Sequence, residues 1–319
     1  LDYSRDEGAW LPNVNGGREN LEAVAFLREL NRVVHEARPG TLMIAEESTA
    51  WPRVTHALEE GGLGFDLKWN MGWMHDTLEV LSADPLFRGG LYEKLTFSIM
   101  YAFSERFQLS LSHDEVVHLK GSLLAKMPGS LDQKLASLRA LYGYMWTHPG
   151  KKLLFMGGEF AQRREWDFEG ELEWDLLEDP LHRGMQAWVK ALNTLYAKTE
   201  AFHATDNDGR GFEWIDCHDA SRSVLAYLRW APEWTESVVV VANFAAATWK
   251  DYRLPVPAPG AYEVILSSDA VEFGGAGVEL ADPFESQPGE MHGRGHWIEF
   301  DLPGLSVVVL RSKGKAAAG

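Results

Sequence analysis

The chain has 319 residues, of which 45% are hydrophobic and 24% charged. That length gives room for two domains and a sizeable core, and the composition excludes a disordered chain, a collagen and a disulfide-stapled mini-protein. A formal net charge of −17 argues against a nucleic-acid partner, and no apolar run of about 18 residues is present to span a membrane.

The chain opens on Leu1, not Met, and residues 1–5 carry neither a helix cap nor a signal-peptide pattern. It therefore reads as a piece of something longer. Leu21, Val24, Leu27, Leu30 and Val34 recur at helical spacing, and Pro39-Gly40 stops that helix. A short apolar run over 41–45 follows and ends in Glu46-Glu47. A second strand candidate spans 65–70 and leads into a helix near 73–81. A third spans 107–111 and ends in Ser112-His113-Asp114-Glu115. Ser130 with Gln133 three residues later forms a capping-box pattern. That helix carries Leu135, Leu138, Leu141, Tyr142 and Met145 and ends before Pro149-Gly150. A fourth strand over 152–156 runs into Gly157-Gly158-Glu159, and a last helix covers about 183–199. This βαβα order predicts a parallel sheet with covering helices. Four strands are half of what an eight-stranded barrel needs.

From about residue 207 the pattern changes. Short strands are predicted over 211–217, 223–230, 237–244, 262–267, 296–302 and 305–311, with no helix between them. They predict an antiparallel sandwich. Residues 274–277 and 289–295 read as loops, and 313–319 as a tail. The expected division is therefore 1–206 and 207–319.

Cys217 is the one cysteine, so no internal disulfide forms and no Cys-rich zinc site exists. It reads as an inert residue in a reducing compartment, which points to the cytoplasm. His113 and His118 are five apart, so a helix would not bring both to one face for a metal. No dinucleotide fingerprint, P-loop or nucleophile elbow occurs. No metal or cofactor is expected.

Polar residues cluster at the carboxyl ends of the apolar strands: Glu46-Glu47, Lys68-Trp69-Asn70, His113-Asp114-Glu115 and Glu159. In parallel α/β folds that edge is where active sites form. Paired carboxylates suit glycosidic chemistry, in which one acid protonates the leaving oxygen and another stabilises an oxocarbenium-like centre. The 13 tryptophans offer faces for sugar rings. These residues alone do not choose between Glu46 and Glu47, and Asp114 could instead cap the turn that follows it.

Several longer stretches carry a resemblance: Gly16-Gly17-Arg18-Glu19-Asn20-Leu21-Glu22-Ala23, Ala45-Glu46-Glu47-Ser48-Thr49, Gly61-Gly62-Leu63-Gly64-Phe65, Lys68-Trp69-Asn70-Met71-Gly72-Trp73-Met74-His75-Asp76, Leu111-Ser112-His113-Asp114-Glu115-Val116-Val117-His118, Pro149-Gly150-Lys151-Lys152-Leu153-Leu154-Phe155-Met156-Gly157 and Asp251-Tyr252-Arg253. With these the chain resembles the glycogen branching enzymes of the α-amylase superfamily. The resemblance implies α/β plus all-β architecture: the C-terminal half of a (β/α)8 TIM barrel followed by the β-sandwich. It implies retaining transfer of an α-1,4-glucan segment onto a 6-hydroxyl, with α-1,4-glucan chains as donor and acceptor. Glu46 would be the general acid/base and Asp114 the transition-state carboxylate. His113, Trp69 and Glu47 would contact substrate. The family's nucleophile, an Asp in a pattern like D-G-x-R-x-D-A, has no counterpart here, and Asp2 is not that residue. The nucleophile and the first four strands are therefore expected in a missing N-terminal half. Leu119 stands where the family usually has Gly. An α-glucan hydrolase of the same superfamily would use the same carboxylates, and a non-catalytic glucan-binding fragment would need none of them.

Overall fold

The computed structural model describes residues 6 and 8–313. Residues 1–5, and the expected tail beyond Lys313, lie outside that range. Helix α1, Leu21–Ala37, starts where the Asn20 side chain accepts from the Ala23 amide and ends just before Pro39-Gly40. The short strand β1, Ile44–Ala45, follows. Only the end of the 41–45 run joins the sheet.

Strands β2 (Leu67–Trp69), β3 (Phe107–Leu111) and β4 (Lys151–Leu154) complete a four-stranded parallel sheet in the order β1-β2-β3-β4. Ala45 pairs with Lys68, Trp69 with Gln108, and Leu111 with Leu154. Parallel neighbours need a long crossover. Helix α2, Met71–Ser82, and the short helix α3, Tyr92–Phe97, supply it between β2 and β3. The four-residue α4, Leu123–Lys126, and then α5, Leu131–Thr147, supply it between β3 and β4. The capping box of Ser130 and Gln133 forms as the spacing predicts. Between β1 and β2 the crossover is a loop with one 3-10 turn at Leu58–Glu60, so the strict βαβα alternation fails there. The short α3 and α4 carry too few residues to show a period. Helix α6, Pro180–Lys198, lies against α5.

Nine antiparallel strands follow: β5 (Phe212–Asp219), β6 (Val224–Trp230), β7 (Ser237–Asn243), β8 (Trp249–Val256), β9 (Ala261–Ser267), β10 (Phe284–Glu285), β11 (Gln287–Met291), β12 (Arg294–Leu302) and β13 (Ser306–Ser312). One sheet runs β10-β9-β13-β7-β6-β5 and the other β11-β12-β8. Strands β6 and β7 are buried at every residue, because their sheet is covered on both faces. Val224, Ala226 and Leu228 meet Leu254 and Ile298 of the smaller sheet. Leu225 and Tyr227 instead join the core of α5 and α6 with Tyr144 and Trp188. Double burial explains the unbroken run Val238–Ala242. Gly143 of α5 sits so close to β13 that a Cβ there would lie 2.8 Å from Val307 Cβ. The hydrophobic core thus runs on from the parallel layer into the antiparallel one.

Residues 289–295 are not a loop: β11 and β12 form a hairpin whose two-residue turn, His292-Gly293, has both φ values positive. Strand β8 was unread because Lys250, Asp251, Arg253 and Pro255 interrupt it. Its alternation is real, with Tyr252, Leu254 and Val256 buried. As an edge strand it tolerates Pro255. Cys217 lies half-buried on β5, and burial pushes its thiol pKa up. Among the described residues no helix is long and apolar enough to cross a membrane.

Candidate active site

Because the four strands are parallel, their carboxyl ends share one edge. Glu46 follows β1, Asn70 follows β2, and Ser112-His113-Asp114 follow β3 along it. Glu46 is exposed and Glu47 half-buried. The Glu47 carboxylate accepts from the Thr49 amide at 2.8 Å, which folds the segment into a tight turn. Trp69 and Glu47 line one cavity of about 650 Å³, together with Lys68 and Asn70.

His113 and Asp114 line a second cavity, of about 900 Å³, with Glu165, Trp166 and Phe168. His113 Nε2 lies 3.3 Å from Asp114 Oδ1. The His113 ring packs against Phe155 and edge-on to Trp166. Both residues ride a 3-10 turn, His113–Val116, that is capped without them. Ser112 Oγ accepts from the Asp114 amide at 3.2 Å, and the buried Glu115 carboxylate accepts from the Ser112 amide. Asp114's own carboxylate is therefore not spent on the cap and stays 41% exposed.

The structure thus joins His113 to Asp114, and Glu47 to Trp69, in two neighbouring concavities at one sheet edge. Glu46 lines neither cavity wall. Glu159 leaves the group altogether and lines a shallow groove on α6 with Gln186 and Lys190.

The sequence marks Lys68 only as one of the strand-end polar residues and does not mark Glu165 at all, yet both hold backbone at this edge. Lys68 is 5% exposed, and its Nζ donates to the Thr49 carbonyl at 3.0 Å. Burial holds its pKa below the usual lysine range, against the pull of Glu105 and Glu47. Lys68 closes the strand candidate over 65–70, but nothing local in the sequence marks its bond to Thr49. Glu165 accepts from the amides of Leu119 (3.3 Å) and Gly121 (3.0 Å) and so fixes the turn beside Asp114. Nothing local in the sequence marks that contact, which spans more than forty residues.

Residues 214–313 match the family model for the alpha amylase C-terminal all-beta domain. The chain is 53% identical over 314 residues to the 1,4-alpha-glucan branching enzyme GlgB of Aquifex aeolicus, covering 98% of this chain and 50% of that protein. It is 54% identical over 310 residues to the enzyme of the same name from Aromatoleum aromaticum, covering 97% and 49%. The chain spans about half the length of the curated relatives it matches. Among solved structures, an alpha-amylase from Geobacillus thermoleovorans aligns at TM-score 0.60 and 16% identity, over 92% of this chain and 57% of the other. An Anoxybacillus alpha-amylase aligns at TM-score 0.58 and 18% identity, over 91% and 57%. Those two likenesses speak to fold alone. Over almost its whole length the chain is thus similar in sequence to 1,4-alpha-glucan branching enzymes, and its antiparallel part matches the alpha amylase C-terminal all-beta domain, as the C-terminal portion of such an enzyme would.

Proposed function

We propose that this chain supplies the C-terminal half of a (β/α)8 barrel, over 1–206, and an all-β domain, over 207–319, to a retaining α-1,4-glucan branching reaction. The observation that carries the reading is the single parallel-sheet edge bearing Glu46, Trp69, His113 and Asp114. In this scheme the Glu46 carboxyl gives its proton to the glycosidic oxygen as the α-1,4 bond breaks. The resulting Glu46 carboxylate then takes the proton of the acceptor's 6-hydroxyl as the α-1,6 bond forms. Asp114 faces the positive charge that develops at the anomeric carbon, so its carboxylate favours the transition state over the ground state. His113 bonds a sugar hydroxyl, and Trp69 and Glu47 contact the glucan. The carboxylate that attacks the anomeric carbon lies in the half of the relatives that this chain does not match. The chain's charge and its single half-buried thiol suit a neutral polysaccharide substrate in a reducing cytoplasm.

A linkage assay on amylose tests this. The 319-residue chain alone forms no α-1,6 bonds. A protein of the relatives' full length carrying this chain does form them, and Glu46→Gln cuts its turnover by orders of magnitude. If Glu47→Gln is the severe variant and Glu46→Gln is mild, the acid/base is Glu47. Release of reducing sugar without new branches assigns hydrolysis instead.

A further inference from the structure

We propose that Lys68 is a positioning residue that locks the Glu46–Thr49 segment to the sheet. The ladder register puts Lys68 directly opposite Ala45, the residue before Glu46. From there Lys68 Nζ reaches over the strand end to the Thr49 carbonyl at 3.0 Å. The Thr49 amide is meanwhile taken by Glu47 Oε1 at 2.8 Å. Both backbone groups of Thr49 are therefore held by charged side chains, one on β2 and one within the segment itself. A little further along, the buried Glu105 carboxylate accepts from the amides of Val54 (2.9 Å) and Thr55 (2.8 Å). The stretch that leaves β1 is thus pinned at two points by groups that belong to β2 and to the approach to β3.

A lysine is a costly choice for a site only 5% exposed. An apolar side chain would fill the space without desolvating a charge. Lys68 stays compatible with burial because Glu105 and Glu47 are the charged groups that support its cation. What the ammonium adds over packing is a directional bond to one carbonyl, and that carbonyl sits three residues after Glu46. This role rests on the reading of Glu46 as the acid/base, because an acid must hold its oxygen within hydrogen-bond reach of the glycosidic oxygen. A shift of about 1 Å in such a group can cost on the order of a hundredfold in rate.

Amide hydrogen exchange on the 319-residue chain reads the lock directly, apart from any activity. In Lys68→Met, exchange over 46–52 rises by at least about tenfold while 107–111 keeps its protection. If Lys68→Met melts far below the unsubstituted chain, Lys68→Gln is read the same way. Unchanged exchange over 46–52 overturns the proposal. In a protein of full family length the same substitution lowers kcat by at least about tenfold with KM within about twofold, and Lys68→Arg recovers part of the loss. Faster exchange with unchanged kcat removes the positioning role. Full turnover by Glu46→Gln in that protein overturns the acid/base reading alone, and leaves the exchange result to judge the lock.

Discussion

Arg229 on β6 donates to Asp206 at 3.2 Å, and both side chains are at most 1% exposed. Asp206 also accepts from the Gly150 amide (3.1 Å), Tyr196 Oη (2.6 Å) and Lys151 Nζ (3.2 Å). One carboxylate therefore ties α6, the start of β4 and the antiparallel sheet together. Burial alone would push the Asp206 carboxyl up, but Lys152, Arg229, Tyr196 and Lys151 outweigh it and hold the pKa below the usual range.

Removing that charge leaves the Arg229 guanidinium buried among neutral partners, the carbonyls of Thr147 and Gly211 and the Phe202 ring, with no compensating carboxylate against it. Asp206→Asn should cost about 3–5 kcal/mol in denaturant unfolding, the scale for breaking one side of a buried ion pair. The depressed pKa gives the pH signature. The carboxylate's contribution is full above the unfolded value near 3.8 and fades as pH falls below it. The gap between the two proteins should narrow in that window. A pH-independent gap, or one below about 1 kcal/mol, contradicts this role.

His148 adds a second acid-side dependence at higher pH. Its ring is fully buried, with Nδ1 at the Pro149 carbonyl and Nε2 at Ser98 Oγ. Burial pushes the imidazole down to about 3 from its ordinary 6.5. The unfolded chain takes up this proton first, so stability falls as pH drops from 6.5 towards 3. The slope is at most about 1.4 kcal/mol per pH unit. His148→Gln, uncharged throughout, should show a visibly flatter stability–pH curve over that window. An unchanged slope would place the titrating group elsewhere.

How much of this was legible in the sequence depends on the range of the interactions. The capping box at Ser130 and Gln133 and the apolar run Phe107–Leu111 are local, and both elements form where their residues predict. Strand β8 was hidden because Lys250, Asp251 and Arg253 mask an alternation that only the partner strand β12 reveals. The strand-end carboxylates were visible as a set, but Glu159 turns away to α6 for reasons that lie in the packing of that helix. Lys68 and Glu165 work on backbone groups far away in sequence, Thr49 for one and Leu119 for the other. No local pattern encodes such pairs.

Asp114 separates transfer chemistry from scaffolding. Ser112 and Glu115 carry the turn's cap, so Asp114→Asn should leave the melting temperature unchanged. In a protein of full family length it should lower kcat by at least about a hundredfold with glucan affinity retained, the scale of losing one preorganised charge-stabilising group. His113→Ala should be milder, since one neutral hydroxyl hydrogen bond is worth about 0.5–1.5 kcal/mol, roughly tenfold at most. Initial rates and melts on the same preparations decide it. An Asp114→Asn protein that melts early but branches normally would belong to the scaffold reading.

The turn beside Asp114 stores strain. His118 and Leu119 are consecutive non-glycine residues with φ of 57° and 66°. Such backbone costs about 1–3 kcal/mol per residue unless the surroundings impose it. Here Glu165 imposes it through the amides of Leu119 and Gly121, and Lys120 Nζ adds a bond to the Asp114 carbonyl at 2.7 Å. The Leu119 side chain is 96% exposed, so its packing offsets almost none of that cost. Leu119→Gly should therefore leave stability within about 0.5 kcal/mol of the original, with relief of the left-handed strain offsetting glycine's extra unfolded-state entropy. Leu119→Val should lose about 1 kcal/mol or more, because a β-branched side chain fits that φ worst. Thermal melts of the two variants side by side test this. If Gly is the worse of the pair, the leucine side chain is packed in solution and the turn is not strained.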